Sequence, residues 1–380
     1  MMAPELFVSV IGCTGGVGSA LLAAMARINL QPFAVVNSRT MQFSSDGVTL
    51  PVDFGELATR LLATANDAGA VPVIVDVTAS SVVSAQYQGW LEAGISVVAA
   101  NKLAFSGPEP AYRSLATAAA AAPACRLLHE TTVGAGLPVI ATLKDLAGSS
   151  HTITKIEGVM SGTLAFVLAR VAGGAAPLSA AVAEAKDLGV CSLQPGFCRG
   201  LSFASDVCPS SQWALLCRLC WHPGYTEPDP REDLCGNDVA RKALILARVA
   251  GCSGVEMESL DIESLVPEQL RECPVDEFMA ELSKYDDAFA QRVSETEAKG
   301  ERLHYAASVD VQGGTVTVGL LGVTAAHPFN NAGPDNMVAF STNFYERPLV
   351  IQGAGAGGDV TATGVLADVL RCANQPLAGL

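Results

Sequence analysis

Residues 6–28 read LFVSVIGCTGGVGSALLAAMARI: an apolar run, a glycine-rich turn and a run of Ala, Leu and Met with helical character. Gly12, Gly15 and Gly18 form G-x-x-G-x-x-G directly between strand and helix. Glycines there permit a tight turn and close approach of a pyrophosphate, while the helix N-terminus offers free N–H groups to negative charge. The usual fingerprint is G-x-G-x-x-G, so the spacing is one residue longer and the bare motif is weak. Its setting decides the reading. Gly12, Thr14, Gly15, Gly16, Val17 and Gly18 are the candidate cofactor contacts; the alternative is a glycine turn without a ligand.

Further strand-like runs lie at 33–36, 71–77 (VPVIVDV) and 95–99, of the continuous β-branched kind that a parallel sheet buries on both faces. Helix-like segments fall between them at 55–68, 82–93 and 111–122, the last ended by Pro123. Alternation of this kind predicts an α/β fold with a doubly wound parallel Rossmann sheet over residues 1–150. From about Thr152 the pattern changes. Residues 307–320 (ASVDVQGGTVTVGL) alternate around Gly313-Gly314 and predict a hairpin with a two-residue turn. With helical segments at 164–171, 178–188, 239–250 and 275–293, residues 151–354 predict a second α+β lobe. The tail from 355 to 380 reads as a glycine turn and an apolar helix that docks back on the first lobe.

At 380 residues two lobes are the default, and half the chain is apolar. A net charge of −15 without clustered Lys and Arg argues against nucleic acid and anionic membranes. Apolar stretches are interrupted by Arg170, Glu184 and Lys186, so none supplies the roughly 18 residues of a spanning helix. The chain enters a strand at Leu6, which leaves no room for a leader and predicts a soluble, cytoplasmic protein. Six of its eleven cysteines are scattered singly, as suits reduced thiols.

Asn37-Ser38-Arg39 ends the second strand, where an acidic residue would bond a ribose 2′-hydroxyl. Without a carboxylate there, Arg39 and Ser38 are suited to a 2′-phosphate, favouring NADP over NAD; otherwise Arg39 merely solvates the strand end. Thr78, Ala79 and Lys102 follow strands at their carboxyl ends, where open α/β sheets bind ligands. Residues 224–242, GYTEPDPREDLCGNDVARK, pack five acidic and three basic side chains into nineteen positions. Pro228 and Pro230 stiffen its start. Asn237 or Asp238 is the expected N-cap of the helix that follows, with Asp238 and Lys242 one turn apart on one face. The segment reads equally as a charged surface or as a site for a small zwitterion.

Five stretches are similar to homoserine dehydrogenase: AANKLAF around Lys102, HETTVGAGLPVI at 129–140, IEGVMSGTLAFVL at 156–168, YTEPDPREDLCGNDVARK at 225–242 and VIQGAGAGGDVTATGVL at 350–366. They run in family order through most of the chain, and resemble the short monofunctional form without a kinase or regulatory domain. The resemblance implies NAD(P)-dependent interconversion of L-homoserine and L-aspartate 4-semialdehyde in threonine and methionine biosynthesis, by a homodimer. It implies that Lys242 exchanges a proton with the substrate hydroxyl, with Lys102 as its partner. A lysine whose pKa is lowered by burial suits that role, since no zinc-ligand cluster stands out to polarise the alcohol. By the same resemblance Glu227, Asp238, Tyr225 and Thr163 surround the substrate and Gly357 contacts the cofactor. Glu130 with backbone oxygens of Val133, Ala135 and Leu137 would hold a structural sodium ion, which hard oxygen ligands suit.

One segment departs from the family pattern. Residues 190–224 separate AKDLG from YTEPDP, and hold five cysteines and two of three tryptophans. Three readings are open: a zinc module on Cys217, Cys220 and His222, a surface excursion, or an unspliced intron carried in frame. Since the segment ends immediately before Tyr225, a catalytically silent dinucleotide-binding protein is the alternative function. An aldehyde-oxidising dehydrogenase needs a nucleophilic cysteine, and Cys125 has no motif partner.

Overall fold

The computed structural model describes residues 5–187, 229–331, 333 and 335–373, to which all structural statements refer. Tyr225, Glu227 and the 190–224 segment, with each reading of it, lie outside the described residues. Backbone contacts divide the chain into a first unit, 5–136 with 358–373, and a second unit, 137–187 with 229–357.

The first unit is built on strands β1 (Leu6–Ile11), β2 (Pro32–Val36), β3 (Thr40–Phe43), β4 (Thr49–Pro51), β5 (Val71–Asp76), β6 (Ser96–Ala99) and β7 (Leu127–Leu128). Their order is β4-β3-β2-β1-β5-β6-β7. The expected parallel sheet is present from β2 through β7. Antiparallel β3 and β4 extend it at one edge, where Asn37 turns the chain back by accepting from the N–H groups of Arg39 and Thr40 (both 2.8 Å). Val8, Val10, Val73, Val75 and Val98 pack in the sheet core with Leu21, Met25, Val365 and Val369 from the flanking helices. Burial of each such side chain contributes about 1.5–3 kcal/mol. Helix Phe54–Ala68 starts where Asp53 accepts from Gly55 and Glu56 N–H, and stops at left-handed Gly69.

The 82–93 segment forms two short helices, Ser81–Ser84 and Tyr87–Glu92, rather than one. Helix Gly358–Ala373 packs on helix Gly16–Arg27, β1, β5 and β6, as the tail pattern predicts. The sequence pattern carries the first lobe to 150, but helix Val139–Gly148 packs on helix Asn237–Val249 in the second unit. The first unit ends at Gly136, where a Cβ would lie 2.5 Å from the Val360 carbonyl oxygen.

The second unit holds β8 (Ile153–Val159), β9 (Asp261–Ile262), β10 (Glu301–Asp310), β11 (Thr315–Thr324), β12 (Asn336–Thr342) and β13 (Leu349–Gly353), ordered β13-β12-β8-β10-β11-β9. Pairing is antiparallel except between β9 and β11. The 307–320 hairpin forms, but Asp310 pairs with Thr315, leaving residues 311–314 as a four-residue turn. Asp310 causes this by accepting from the N–H groups of Gln312 (3.1 Å) and Gly313 (2.9 Å). The helix expected over 275–293 is divided into Val275–Glu281, a 3₁₀ turn and Asp286–Glu297. At the second break Asp286 accepts from Ser179 N–H (2.8 Å) and hydroxyl (2.6 Å), which fixes the chain direction there. Among the described residues no helix is long and apolar enough to cross a membrane.

Candidate active site

The turn after β1 shows which glycines the chain itself requires. Gly12 has φ +92°, and a Cβ there would lie 2.8 Å from Thr78 Cγ2. A Cβ on Gly18 would lie 2.1 Å from the Gly12 carbonyl oxygen, so the helix can approach the turn only with glycine at that position. Gly15 differs: a Cβ there would make an ordinary 3.5 Å contact. It is exposed with Thr14 and Gly16 and caps helix Gly16–Arg27 without a side-chain bond. Val17 follows in the first turn of that helix. Uncapped N–H groups behind an exposed glycine suit a phosphate. The tail helix begins alongside, since a Cβ on Gly358 would lie 3.1 Å from the Gly16 carbonyl oxygen. Gly357, at φ +120°, immediately precedes it. Arg39 stands exposed on the β2–β3 turn.

The loops bearing Thr78, Ala79 and Lys102 are joined by a residue that the sequence reading does not single out. Asp76, buried at the end of β5, accepts from Thr78 N–H (2.8 Å), Tyr87 Oη (2.6 Å) and Asn101 Nδ2 (3.0 Å). Burial raises its carboxyl pKa and these donors oppose the rise. Lys102 caps the short helix Leu103–Ser106, and its carbonyl accepts from Ser106 Oγ at 2.9 Å. The signal available in the sequence was an acidic residue inside VPVIVDV, where a purely structural strand has no use for charge.

In the second unit Lys242 is 9% exposed. Its Nζ donates to the Met160 carbonyl oxygen (2.6 Å) and pairs with Asp238 Oδ2 (2.8 Å), the one-turn neighbour expected from the spacing. Helix Asn237–Val249 is capped by Gly236 at φ +77°, in place of the predicted Asn237 or Asp238 cap. Thr163 lies in the first turn of helix Gly162–Val171, whose cap Ser161 accepts from Leu164 N–H (3.2 Å). Thr163 Oγ1 donates to Asp233 Oδ1 at 3.4 Å, which adds Asp233 to the site. Asp233 sits on helix Arg231–Leu234, anchored by Arg231: its guanidinium bonds Asp229 and the carbonyls of Leu270, Arg271 and Cys273. That hydrogen-bonded guanidinium holds the Asp229 carboxyl below the usual range.

The loop expected to hold sodium is buried at Glu130, whose carboxylate lies 3.7 Å from Arg371 Nη1. Asp368 accepts from Glu130 N–H (3.0 Å) and from Arg371 (2.7 Å), tying this loop to the tail helix. Val133 and Ala135 continue the loop, and Ala135 takes a left-handed φ of +53°. In the second unit the Leu137 carbonyl accepts from Val139 N–H at 2.8 Å. Oxygens of this kind are the donors a hard monovalent ion takes, and Arg371 already supplies Glu130 with positive charge. Among the described residues no group of three or more His, Cys, Asp or Glu is placed to hold a metal. The Cys125 thiol is pushed up by burial, which disfavours the nucleophilic thiolate that aldehyde oxidation needs.

A Rossmann-type sheet with a phosphate-ready glycine turn marks the first unit as a dinucleotide-binding domain, and the second unit buries a lysine beside a carboxylate. A family model for the homoserine dehydrogenase NAD-binding domain matches residues 12–130, and one for homoserine dehydrogenase matches 138–197 and 211–370. The chain belongs to the homoserine dehydrogenase family. The gap between the latter two ranges lies inside the 190–224 segment. Homoserine dehydrogenase of Emericella nidulans is 36% identical over 396 residues, covering 97% of this chain and 99% of that protein. The chloroplastic bifunctional aspartokinase/homoserine dehydrogenase 2 of Zea mays is 36% identical over 94% of this chain, which spans 36% of its length. A Candida auris protein of unknown function has a crystal structure similar over 97% of this chain and 98% of its own, with TM-score 0.82 and 33% identity. A hyperthermophilic archaeal homoserine dehydrogenase in complex with NADPH shares the fold over 97% of each chain at TM-score 0.64 and 23% identity.

Proposed function

We propose that the chain interconverts L-homoserine and L-aspartate 4-semialdehyde with NADP(H), as a step towards threonine and methionine. The observation that carries this is Lys242, an ammonium held inside the second unit between a backbone carbonyl and the Asp238 carboxylate. A bound nicotinamide supplies or accepts the hydride. In the reductive direction Lys242 gives a proton to the carbonyl oxygen as the hydride arrives at carbon. In oxidation it takes the hydroxyl proton back, which general acid–base catalysis requires for an alcohol donor. Asp233 and Asp238 bear carboxylates suited to the substrate ammonium, and Thr163 orients Asp233.

Lys102 is assigned as the partner lysine on resemblance and on its place after β6. NADP preference rests on Arg39 and on the lack of an acidic residue in the 37–39 turn. Sodium on the oxygens of Glu130, Val133 and Ala135 would support structure and take no part in chemistry. A homodimer follows the family resemblance. Among the described residues Cys125, Cys235, Cys252, Cys273 and Cys372 are free thiols, which suits a reducing compartment such as the cytoplasm. The test is an absorbance assay of nicotinamide reduction with L-homoserine and NADP. No signal from protein that binds the cofactor normally would overturn the reaction.

A further inference from the structure

We propose that Asp76, acting with Tyr87 and Asn101, is a positioning residue for the cofactor: its buried carboxylate sets the loop after β5 against the loop after β6. This rests on the reading that this sheet edge takes a nicotinamide dinucleotide. Asp76 Oδ1 accepts from Thr78 N–H at 2.8 Å, while Oδ2 accepts from Tyr87 Oη at 2.6 Å and Asn101 Nδ2 at 3.0 Å. Asn101 completes the clamp. Its Nδ2 also donates to the Ser80 carbonyl (2.9 Å) and its Oδ1 accepts from Leu103 N–H (3.1 Å). Thr78 Oγ1 in turn accepts from Ser80 N–H at 3.1 Å. One carboxylate therefore fixes residues 78–80 to residues 101–103. Thr78 carries that placement to the glycine turn, because its Cγ2 fills the space beside Gly12.

The chemistry favours a carboxylate over a neutral side chain. Three donors converge, and only a group with two acceptor oxygens and no donor meets all of them without conflict. Ionising it in a buried place is unfavourable, as its raised pKa reflects, and burial also pushes up the Tyr87 phenol so that it stays a donor. A carboxylate retained against that cost draws two of its three bonds from loops at the carboxyl ends of β5 and β6, where an open α/β sheet binds its ligand. Packing alone gives no reason for a charge here.

The test uses the full chain with Asp76→Asn and Tyr87→Phe. NADPH affinity is read without substrate, from the fluorescence of the bound nicotinamide, beside steady-state kinetics and melting temperature. Asp76→Asn is expected to weaken NADPH binding about tenfold, as for a lost hydrogen bond to a charged group, with KM for L-homoserine within about twofold. Tyr87→Phe is expected to shift cofactor affinity in the same direction by about threefold, since it removes one donor of three. NADPH affinity unchanged in folded Asp76→Asn overturns the proposal; should that variant not fold, unchanged affinity in Tyr87→Phe does so. Wild-type protein that binds NADPH but leaves L-homoserine unoxidised would sink the proposed reaction and not this role.

Discussion

Tyr305 stands where a side chain on Gly236 would have to be: a Cβ at Gly236 would lie 1.9 Å from the Tyr305 hydroxyl oxygen. That hydroxyl donates to the Glu263 carbonyl oxygen at 2.7 Å, so it cannot move aside freely. Gly236 caps the helix that carries Asp238 and Lys242. The position of both side chains is thus set by a backbone that passes directly against a β10 tyrosine. Gly236→Ala is expected to destabilise the protein by about 2–4 kcal/mol, through overpacking and left-handed strain together. Tyr305→Phe in the Gly236→Ala background should recover part of the loss, because it removes the nearest atom and leaves the strain. Paired thermal melts of the two variants check this; a single variant that melts with wild type would show that the contact yields at no cost.

Lys242→Met removes the proton donor and leaves its carboxylate partner in place. Loss of a general acid–base group lowers kcat by about 10²–10⁴-fold. NADPH affinity should hold, because the glycine turn proposed to take the cofactor phosphates is in the other unit. Lys242→Arg restores charge, but a guanidinium cannot release a proton near neutral pH, so activity should stay low. Recovery of near-wild-type kcat in Lys242→Arg would reduce the lysine to an electrostatic anchor.

Arg39→Ala should lower the ratio of NADP to NAD efficiency by about tenfold or more, the scale of one charge-assisted phosphate contact. The loss should appear in KM for NADP and spare NAD. Kinetics with the two cofactors decide it, and an unchanged ratio would assign Arg39 to solvating the hairpin.

The contrast between these residues shows what the sequence can carry. Asp238 and Lys242 were legible because helical spacing alone puts i and i+4 on one face, and their pairing at 2.8 Å follows from it. The parallel sheet was legible because strands buried on both faces are apolar without interruption. The Asp310 turn, the Asp286 break and the Asp76 clamp were not. Each depends on a carboxylate finding backbone or side-chain donors: two residues away for Asp310, 107 for Asp286, and 2, 11 and 25 for Asp76. Periodicity has no term for such bonds. The Gly236 cap was missed for a related reason: Asn237 and Asp238 are good caps locally, and helical spacing does not show that Tyr305, far along the chain, fills the space beside residue 236.

Arg231 and Asp229 give a pH-dependent prediction. Hydrogen bonding to Arg231 is the largest cause of the lowered Asp229 pKa, and burial opposes it. A carboxyl whose folded pKa lies below its unfolded value of about 3.9 stabilises the fold above that pH, and the contribution fades as pH falls through the lower folded value. With the Asp229 side chain 23% exposed, solvent keeps the charge contribution to about 1 kcal/mol. Asp229→Asn should therefore melt below wild type at neutral pH and converge with it only in acid, as pH falls through the lowered folded value of Asp229 and its carboxyl takes up a proton. Arg231→Met behaves differently, because its three bonds to the carbonyls of Leu270, Arg271 and Cys273 do not titrate. Its deficit should shrink in acid without closing. Melting curves of both variants at neutral and acid pH separate the two contributions: a constant gap for Asp229→Asn would exclude the charge, and a gap that closes for Arg231→Met would exclude the carbonyl anchor.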